Sequence, residues 1–267
     1  APKSDFHEAR MAGATIHAPC VNNSQYLTSL RNKDIYVGFI HLNGLERQTA
    51  AKIVHQRTVG GPFRSLADFI SRVDIGASQL ELLIRIGAFR FTGLSKGALL
   101  WEKNAVFNPR EKFEASGLLF PDPHENYELP PLEEGPYDQA FDEIELLGFP
   151  LCSPFELLAD ASWAAEGITA ADLSRSLGRY VTMIGYYVCR KDVRTVKKEL
   201  MHFGTWLDRD GHFFDTVHFP NFIKNAPFRG RGIYRIEGRV VEEFGFCSLE
   251  VVKMEKLPFR KDERYGG

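Results

Sequence analysis

The run Arg190-Lys191-Asp192-Val193-Arg194-Thr195-Val196-Lys197-Lys198 holds five cations in nine residues, and its natural chemistry is contact with a polyanion. Tyr187, His202, Phe203, Trp206, Phe214 and Phe219 lie close by in the chain. Rings beside cations can stack nucleobases, because every base offers a flat face whatever its identity. A solvated charged face and a set of inward-pointing core rings are the ordinary alternatives for the same residues. Asp208-x-Asp210 offers the carboxylate pair that holds two metals for phosphoryl transfer, but Gly211 follows it, so the segment reads as a turn. His202, His212 and His218 are spaced too irregularly for zinc and read as strand-surface histidines. Cys20, in His17-Ala18-Pro19-Cys20, has no evident distal partner and reads as a buried thiol. The four cysteines (Cys20, Cys152, Cys189, Cys247) form no C-x-x-C pair, which excludes the common zinc spacings and suits a reducing compartment. G-x-x-x-x-G-K-[ST] and H-E-x-x-H are both absent, so the P-loop and zinc-protease signatures are missing.

A second chemistry belongs to glycine. Leu42-Asn43-Gly44-Leu45-Glu46 precedes the amphipathic stretch Thr49–Arg57 and looks like the turn of a helix-hairpin-helix motif. Such a turn leaves backbone N–H groups at a helix N-terminus free to meet a phosphate, and glycine is needed because a side chain would block the approach. Glu46 stands where the usual turn has its second glycine, so a purely structural hairpin remains open. Gly87-Ala88-Phe89-Arg90, with Lys96 behind it, is a second candidate turn; its alternative is an ordinary helix C-cap.

These residues need elements to position them. Thr49–Arg57 carries Ala50, Ile53 and Val54 on one stripe, and Gly60-Gly61-Pro62 stops it. A short helix follows Ser65 as its cap. Gln79–Ile86 makes a third helix closed by Gly87, and Ser95–Lys103 a fourth capped by Ser95. Short helices with Gly-bearing turns indicate helical hairpins. From Asn104 to Tyr137 the chain is rich in proline and acid, as linkers are; Asp138–Leu147 then reads as an acidic amphipathic helix ending at Gly148. Beyond Tyr180 the period becomes two, giving strands at Tyr180–Cys189, Leu200–Leu207, Phe213–Phe219, Gly232–Phe244 and Phe246–Met254, with turns at Asp208–Gly211 and Phe244-Gly245. A short segment at Asn221–Ala226 interrupts the series. Five strands with that interruption fit a Greek-key barrel of the oligonucleotide-binding (OB) type.

Charge divides the 267 residues in the same places. Residues 1–100 carry 12 Lys and Arg against 7 Asp and Glu, residues 101–175 carry 4 against 16, and residues 176–267 carry 17 against 12. Two basic lobes around an acidic stretch suit a chain that touches a polyanion at both ends, although acidic linkers are also simply soluble. Hydrophobic residues at 44% and charged residues at 25% are ordinary globular values, which exclude a disordered or fibrous chain. No apolar run approaches the ~18–20 residues of a membrane span. With no leader and no initiator Met, the chain reads as cytoplasmic and excised from something longer.

The run His7-Glu8-Ala9-Arg10-Met11-x-Gly13-Ala14-x-Ile16-x-x-Pro19-Cys20-Val21-Asn22-x-Ser24 resembles the stretch that precedes the tandem helix-hairpin-helix region of the bacterial replicative DNA polymerase III alpha subunit. The order continues: Gly38–Arg57 is similar to that family's first hairpin, Gly61-Pro62-Phe63-x-Ser65-Leu66-x-Asp68-Phe69 to the connector and Leu82–Leu100 to the second hairpin. Leu147-Gly148-Phe149-Pro150-Leu151 resembles the lead into the barrel, and Lys198–Pro220 the barrel's second and third strands. The Bacteroidetes type of the subunit is the nearest flavour. Arg90 stands where the family usually has Asp.

The resemblance implies a multi-domain α and β chain. Residues 1–34 would be the tail of the fingers region and 35–104 an all-α tandem helix-hairpin-helix module. Residues 105–175 would be an acidic, Pro-containing linker, and 176–260 a five-stranded OB-fold barrel that binds single strands. It implies a non-catalytic region, since the palm aspartates of the parent nucleotidyltransferase would lie upstream; the parent would use Mg, and this chain no cofactor of its own. Duplex backbone would meet Gly44, Arg47, Lys52, Arg57, Gly87, Arg90 and Lys96. Single-stranded DNA would meet Tyr187, Arg190, Lys191, Arg194, Lys197, Lys198, His202, Phe203 and Trp206. Leu118, Leu119 and Phe120 lie where the family has its sliding-clamp peptide, with Ser116 in place of the usual Gln. DNA, the sliding clamp and other polymerase III holoenzyme subunits are the implied partners, with no membrane. The competing reading is a replisome protein-interaction module with little DNA affinity of its own. An RNA-binding barrel fits the helical hairpins less well, and a nuclease lacks a metal-ligand set.

Overall fold

Serine side-chain caps decide where two helices of the first unit begin. In the computed structural model, which describes residues 2–107, 134–194, 196, 198–225 and 228–265, Ser65 Oγ accepts the Asp68 N–H at 3.1 Å, and the Asp68 carboxylate in turn accepts the Arg64 N–H at 2.9 Å. The second bond ties the residue before the cap to the turn, and the first satisfies a donor that a helix start leaves open. Ser95 does the same for the later helix, its Oγ accepting the Ala98 N–H at 3.2 Å. The chain forms α1 (Pro2–Met11), three short strands β1 (Thr15–His17), β2 (Ser29–Arg31) and β3 (Asp34–Tyr36), and then α2 (Arg47–Gly60), α3 (Leu66–Arg72), α4 (Ala77–Arg85), α5 (Lys96–Phe107) and α6 (Asp138–Leu146).

Two compact units emerge: Ala12–Leu151, and Cys152–Gly267 together with α1. The division differs from the sequence reading at both ends of the helical unit. Residues 12–34, expected as the tail of another region, belong to it, and so does the acidic helix α6, expected as linker. The small sheet, β1 parallel to β3 and β2 antiparallel to it, escapes pattern reading because three residues are too few to show a period.

The helical unit packs on apolar stripes. Phe63, Phe69 and Phe89 are buried and meet edge to face, each successive pair 4.9 Å apart, a geometry favoured by ring quadrupoles. Leu80, Leu83 and Ile84 line the inner face of α4. Gly87 ends that helix at φ +77°, with the Ala88 N–H donating to Leu83 O at 2.9 Å; a left-handed residue here closes the exposed carbonyls of the last turn. Gly148 (φ +82°) follows α6 in the same way.

The second unit is built on alternation. Strands β4 (Tyr180–Arg194), β5 (Leu200–Leu207), β6 (Phe213–His218), β7 (Ile233–Glu243) and β8 (Phe246–Leu257) close into a barrel in the order β4-β5-β6-β8-β7, and helix α7 (Pro220–Asn225) sits between β6 and β7. Every pairing is antiparallel except β6 with β8. That order, with one parallel closure and a helix before the fourth strand, is the OB topology. Trp206, Phe214, Tyr234, Met183, Ile236, Val240, Leu249 and Val251 fill the interior. A Cβ on Gly185 would stand 2.7 Å from the Phe214 ring, so only glycine lets that ring lie against β4. The Asp208 carboxylate accepts N–H groups of Asp210, His212 and Ala170 at 2.8–3.0 Å, the turn role expected for it.

The structure corrects two expectations. Strand β4 continues five residues past Cys189, so Arg190–Arg194 are strand and not loop. His202 and His218 are buried, 6% and 1% exposed, because even-numbered positions of β5 and β6 face inward; His212 alone of the three is exposed. Phe214 is likewise a core ring, 3% exposed.

Candidate nucleic-acid interfaces

In the helical unit, Gly44 turns the chain into α2 at φ +85°, and a Cβ there would press to 3.2 Å against Leu82 Cδ1. Gln79 braces the turn from α4: its Oε1 accepts the Glu46 N–H at 2.8 Å and its Nε2 donates to Gly44 O at 2.7 Å. Glu46 makes no side-chain cap to α2, and no acid lies in the first turn. The N–H groups of Arg47, Gln48 and Thr49 therefore point out of the helix start without a capping side chain, where the helix dipole favours an anion. Arg47 is exposed beside them, its guanidinium 5.3 Å from the Tyr26 ring centre. Lys52 is also exposed and pairs with the solvent-facing Asp74 at 2.8 Å, a pair that adds little stability and opens at little cost.

The other cations expected on duplex DNA are engaged within the protein. Arg57 Nη1 donates to Val21 O at 2.7 Å and Ser24 O at 2.9 Å, and burial pushes its pKa below the ordinary guanidinium value. Arg90 donates to Pro19 O at 3.0 Å, Ala18 O at 2.9 Å and Gly87 O at 3.2 Å. Both therefore fasten the Pro19–Ser24 loop. Asn22 completes the fastening by exchanging two hydrogen bonds with the Phe63 backbone at 2.8 and 2.9 Å, and the buried Ser24 hydroxyl donates to Val37 O at 2.8 Å. Lys96 pairs at 2.7 Å with Asp142, which is 1% exposed and also accepts from Arg85 at 2.9 Å. Arg85 reaches Glu145 as well, and that bond leads the influences that raise its pKa further. Glu134 Oε1 accepts the Lys96 N–H at 2.5 Å. The acidic segment thus covers the second hairpin, and Gly87 acts there as a helix C-cap. Charge counting misses this because, Gly87 O apart, the acceptors lie 33 to 72 residues away, many of them carbonyls that carry no formal charge.

On the barrel, Lys191 pairs across the sheet with Phe203. Phe203 is 39% exposed and lies on the outer face with Thr205, so a cation and a ring share one surface. Arg194 and Lys198 are exposed further along, while Lys197 lies outside the described residues, as do Leu118, Leu119 and Phe120. Arg190 Nε pairs with Asp192 at 2.8 Å, and its guanidinium lies 5.3 Å from the Phe228 ring centre. Asp192 also meets His202 Nδ1 at 2.7 Å.

Trp206 and His202 cannot stack a base. Trp206 is fully buried, donating from Nε1 to Thr216 Oγ1 at 2.7 Å. Tyr187 is half-buried against Trp206 and Phe228, and burial raises its pKa. The two most exposed aromatic rings among the described residues are elsewhere. Phe244 and Phe246, at the tip of the β7–β8 hairpin, are 99% and 79% exposed. Phe244 (φ +53°) and Gly245 (φ +83°) are both left-handed, as a two-residue hairpin turn requires, and a Phe in that conformation is strained. Their signal is present in the sequence, since an aromatic at a two-residue turn cannot reach a core.

The helix-hairpin-helix motif family matches residues 13–99. Over 111 residues the chain is 35% identical to an error-prone DNA polymerase of Mycobacterium bovis, covering 41% of this chain and 10% of that protein. Over 228 residues it is 27% identical to DNA polymerase III subunit alpha of Staphylococcus aureus, covering 82% of this chain and 21% of that protein. The chain therefore spans about a tenth to a fifth of the length of these relatives. Among solved structures, a single-stranded DNA binding protein from Thermus aquaticus aligns with 31% of this chain and 41% of its own at 15% identity, with a TM-score of 0.27.

Proposed function

We propose that this chain, similar over 82% of its length to DNA polymerase III subunit alpha, is a DNA-holding region of a replicative polymerase of that kind, with the chemistry carried out by other parts of the enzyme. The observation that carries the reading is the pairing of two elements, each suited to DNA backbone or bases: a helix-hairpin-helix turn with an open helix start, and an OB barrel with a cationic, aromatic outer face. The helical unit grips duplex through the N–H groups beyond Gly44, with Arg47 and Lys52 as flanking cations. Contacts of this kind meet phosphates and do not read sequence. The barrel holds single strand through Lys191, Arg194 and Lys198, with Arg190 released from Asp192, while Phe203, Phe244 and Phe246 supply stacking faces. Lys197 and the Leu118–Phe120 peptide enter on sequence alone, the peptide as the contact to the sliding clamp and a means of raising effective concentration at the primer end.

The test is fluorescence anisotropy of the whole chain with a single-stranded oligonucleotide and with a duplex of equal length. Both should bind, and both affinities should fall as salt rises, by counterion release. Capture of the clamp without measurable binding to either DNA would favour a protein-interaction module instead.

A further inference from the structure

The loop between α7 and β7 contains Phe228-Arg229-Gly230-Arg231-Gly232, and none of it belongs to the cationic strand described above. Arg229, Arg231, Gly232 and Lys256, with Leu257, Pro258 and Phe259, line a cavity of about 360 Å³. Three of the seven lining residues are cations and none is an acid. The loop is held in a way that favours an anion. Its carbonyls at Arg229, Gly230 and Gly232 accept from Lys256 Nζ at 3.1 Å, the Tyr234 hydroxyl at 2.6 Å and the Tyr187 N–H at 3.0 Å. The oxygens that would repel a negative ligand are thereby occupied. Gly230 (φ +75°) and Gly232 (φ +146°) permit the path, and a Cβ on Gly232 would lie 2.5 Å from Lys256 Cε, so glycine is what lets the lysine stem cross the loop. Pro258 and Phe259 add apolar surface to the lining.

We propose that this cavity seats one nucleotide: its phosphate among Arg229, Arg231 and Lys256, its sugar and base against Pro258 and Phe259. The volume lies at the small end of ligand pockets, which suits a single nucleotide. The nucleotide belongs to the strand held on β4 and β5, because Phe228, at the head of the loop, packs on Tyr187 at 4.9 Å and lies beneath the Arg190 guanidinium. The cations of β4 and of the cavity therefore adjoin through one ring. This assignment rests on the single-strand reading and extends the strand's path to a second site; a free mononucleotide presents the same chemistry.

The experiment uses the whole chain and two probes, thymidine monophosphate and a 15-mer of thymidine. The variant Arg229→Gln, Arg231→Gln, Lys256→Met keeps the side-chain stems, and an unchanged melting curve certifies its fold. Amide chemical shifts should show the monophosphate moving Gly230 and Gly232 in the native chain and not in the variant. The variant should also bind the 15-mer more weakly, with the slope of log K against log[salt] reduced by about 0.7 for each phosphate no longer neutralised. Unchanged 15-mer affinity and slope in the variant would overturn the proposal. If the 15-mer fails to bind even the native chain while the monophosphate still moves both glycines, the single-strand reading fails and the nucleotide seat stands. If the monophosphate moves neither glycine and the 15-mer still binds through Lys191 and Arg194, the seat fails and the single-strand reading stands.

Discussion

Lowering the pH should loosen the barrel from the inside, through His218. Its side chain is 1% exposed, lies among Trp206, Phe222 and Phe228, and keeps Nε2 at 2.8 Å from the Thr216 hydroxyl. Burial first, then the nearby His202 and Arg190, lower its pKa from 6.5 to about 4. The unfolded chain therefore takes up the proton before the folded one does. Stability is full above pH ~6.5, falls as the pH drops from there to about 4, and levels off below, because only in that window does the unfolded state bind more protons. At ~1.4 kcal/mol per pH unit the loss totals about 3 kcal/mol, a large share of the ~5–15 kcal/mol that holds a typical domain. Denaturant melts followed by tryptophan fluorescence at several pH values would measure it, with His218→Gln as the reference, since glutamine does not titrate. The native barrel should lose about 3 kcal/mol more than the variant between neutral pH and pH 4. Parallel losses in the two proteins would refute the reasoning.

Three further outcomes follow from the geometry. Asp142→Asn leaves Arg85 and Lys96 without their shared anion in a buried site and should destabilise the helical unit by about 3 kcal/mol, read from thermal melts; a loss under ~0.5 kcal/mol would show that the acidic helix is not a lock. Gly44→Ala forces a side chain into a left-handed turn against Leu82 and should cost about 1 kcal/mol of stability, with weaker duplex binding and unchanged single-strand binding in paired anisotropy titrations. Phe244→Ser with Phe246→Ser removes two exposed rings, so stability should stay within ~0.5 kcal/mol while single-strand affinity falls by about 1–3 kcal/mol for each stacking ring removed; unchanged affinity would take the hairpin tip out of the site.

Much of the architecture was legible because local chemistry and the fold agree. Ser65 and Ser95 cap helices, Gly87 and Gly148 close them, Asp208–Gly211 turns, and β5 runs from Leu200 to Leu207 as its alternation implies. The candidate sites were harder to read, because a sequence gives a residue's charge without its partner. Arg57 and Arg90 resemble DNA contacts in composition, yet each binds backbone carbonyls of the Pro19–Ser24 loop. Asp142 looks like surface acid on a linker helix, yet it is buried between two cations. Trp206 and His202 fall beside exposed cations in the chain, but period two sends them into the barrel and leaves Phe203 outside. Alternation alone ends β4 too early because the last residues of the strand are exposed and polar, and polarity there reflects a strand that projects beyond the core.

The most direct test of DNA holding is the salt dependence of single-strand affinity in the native chain and in Lys191→Ala, Arg194→Ala, Lys198→Ala. The native slope of log K against log[salt] should be clearly negative, and the variant's shallower by about 2, at ~0.7 for each of three phosphate contacts. A flat native slope, or an identical one in the variant, would contradict the assignment of this face to DNA.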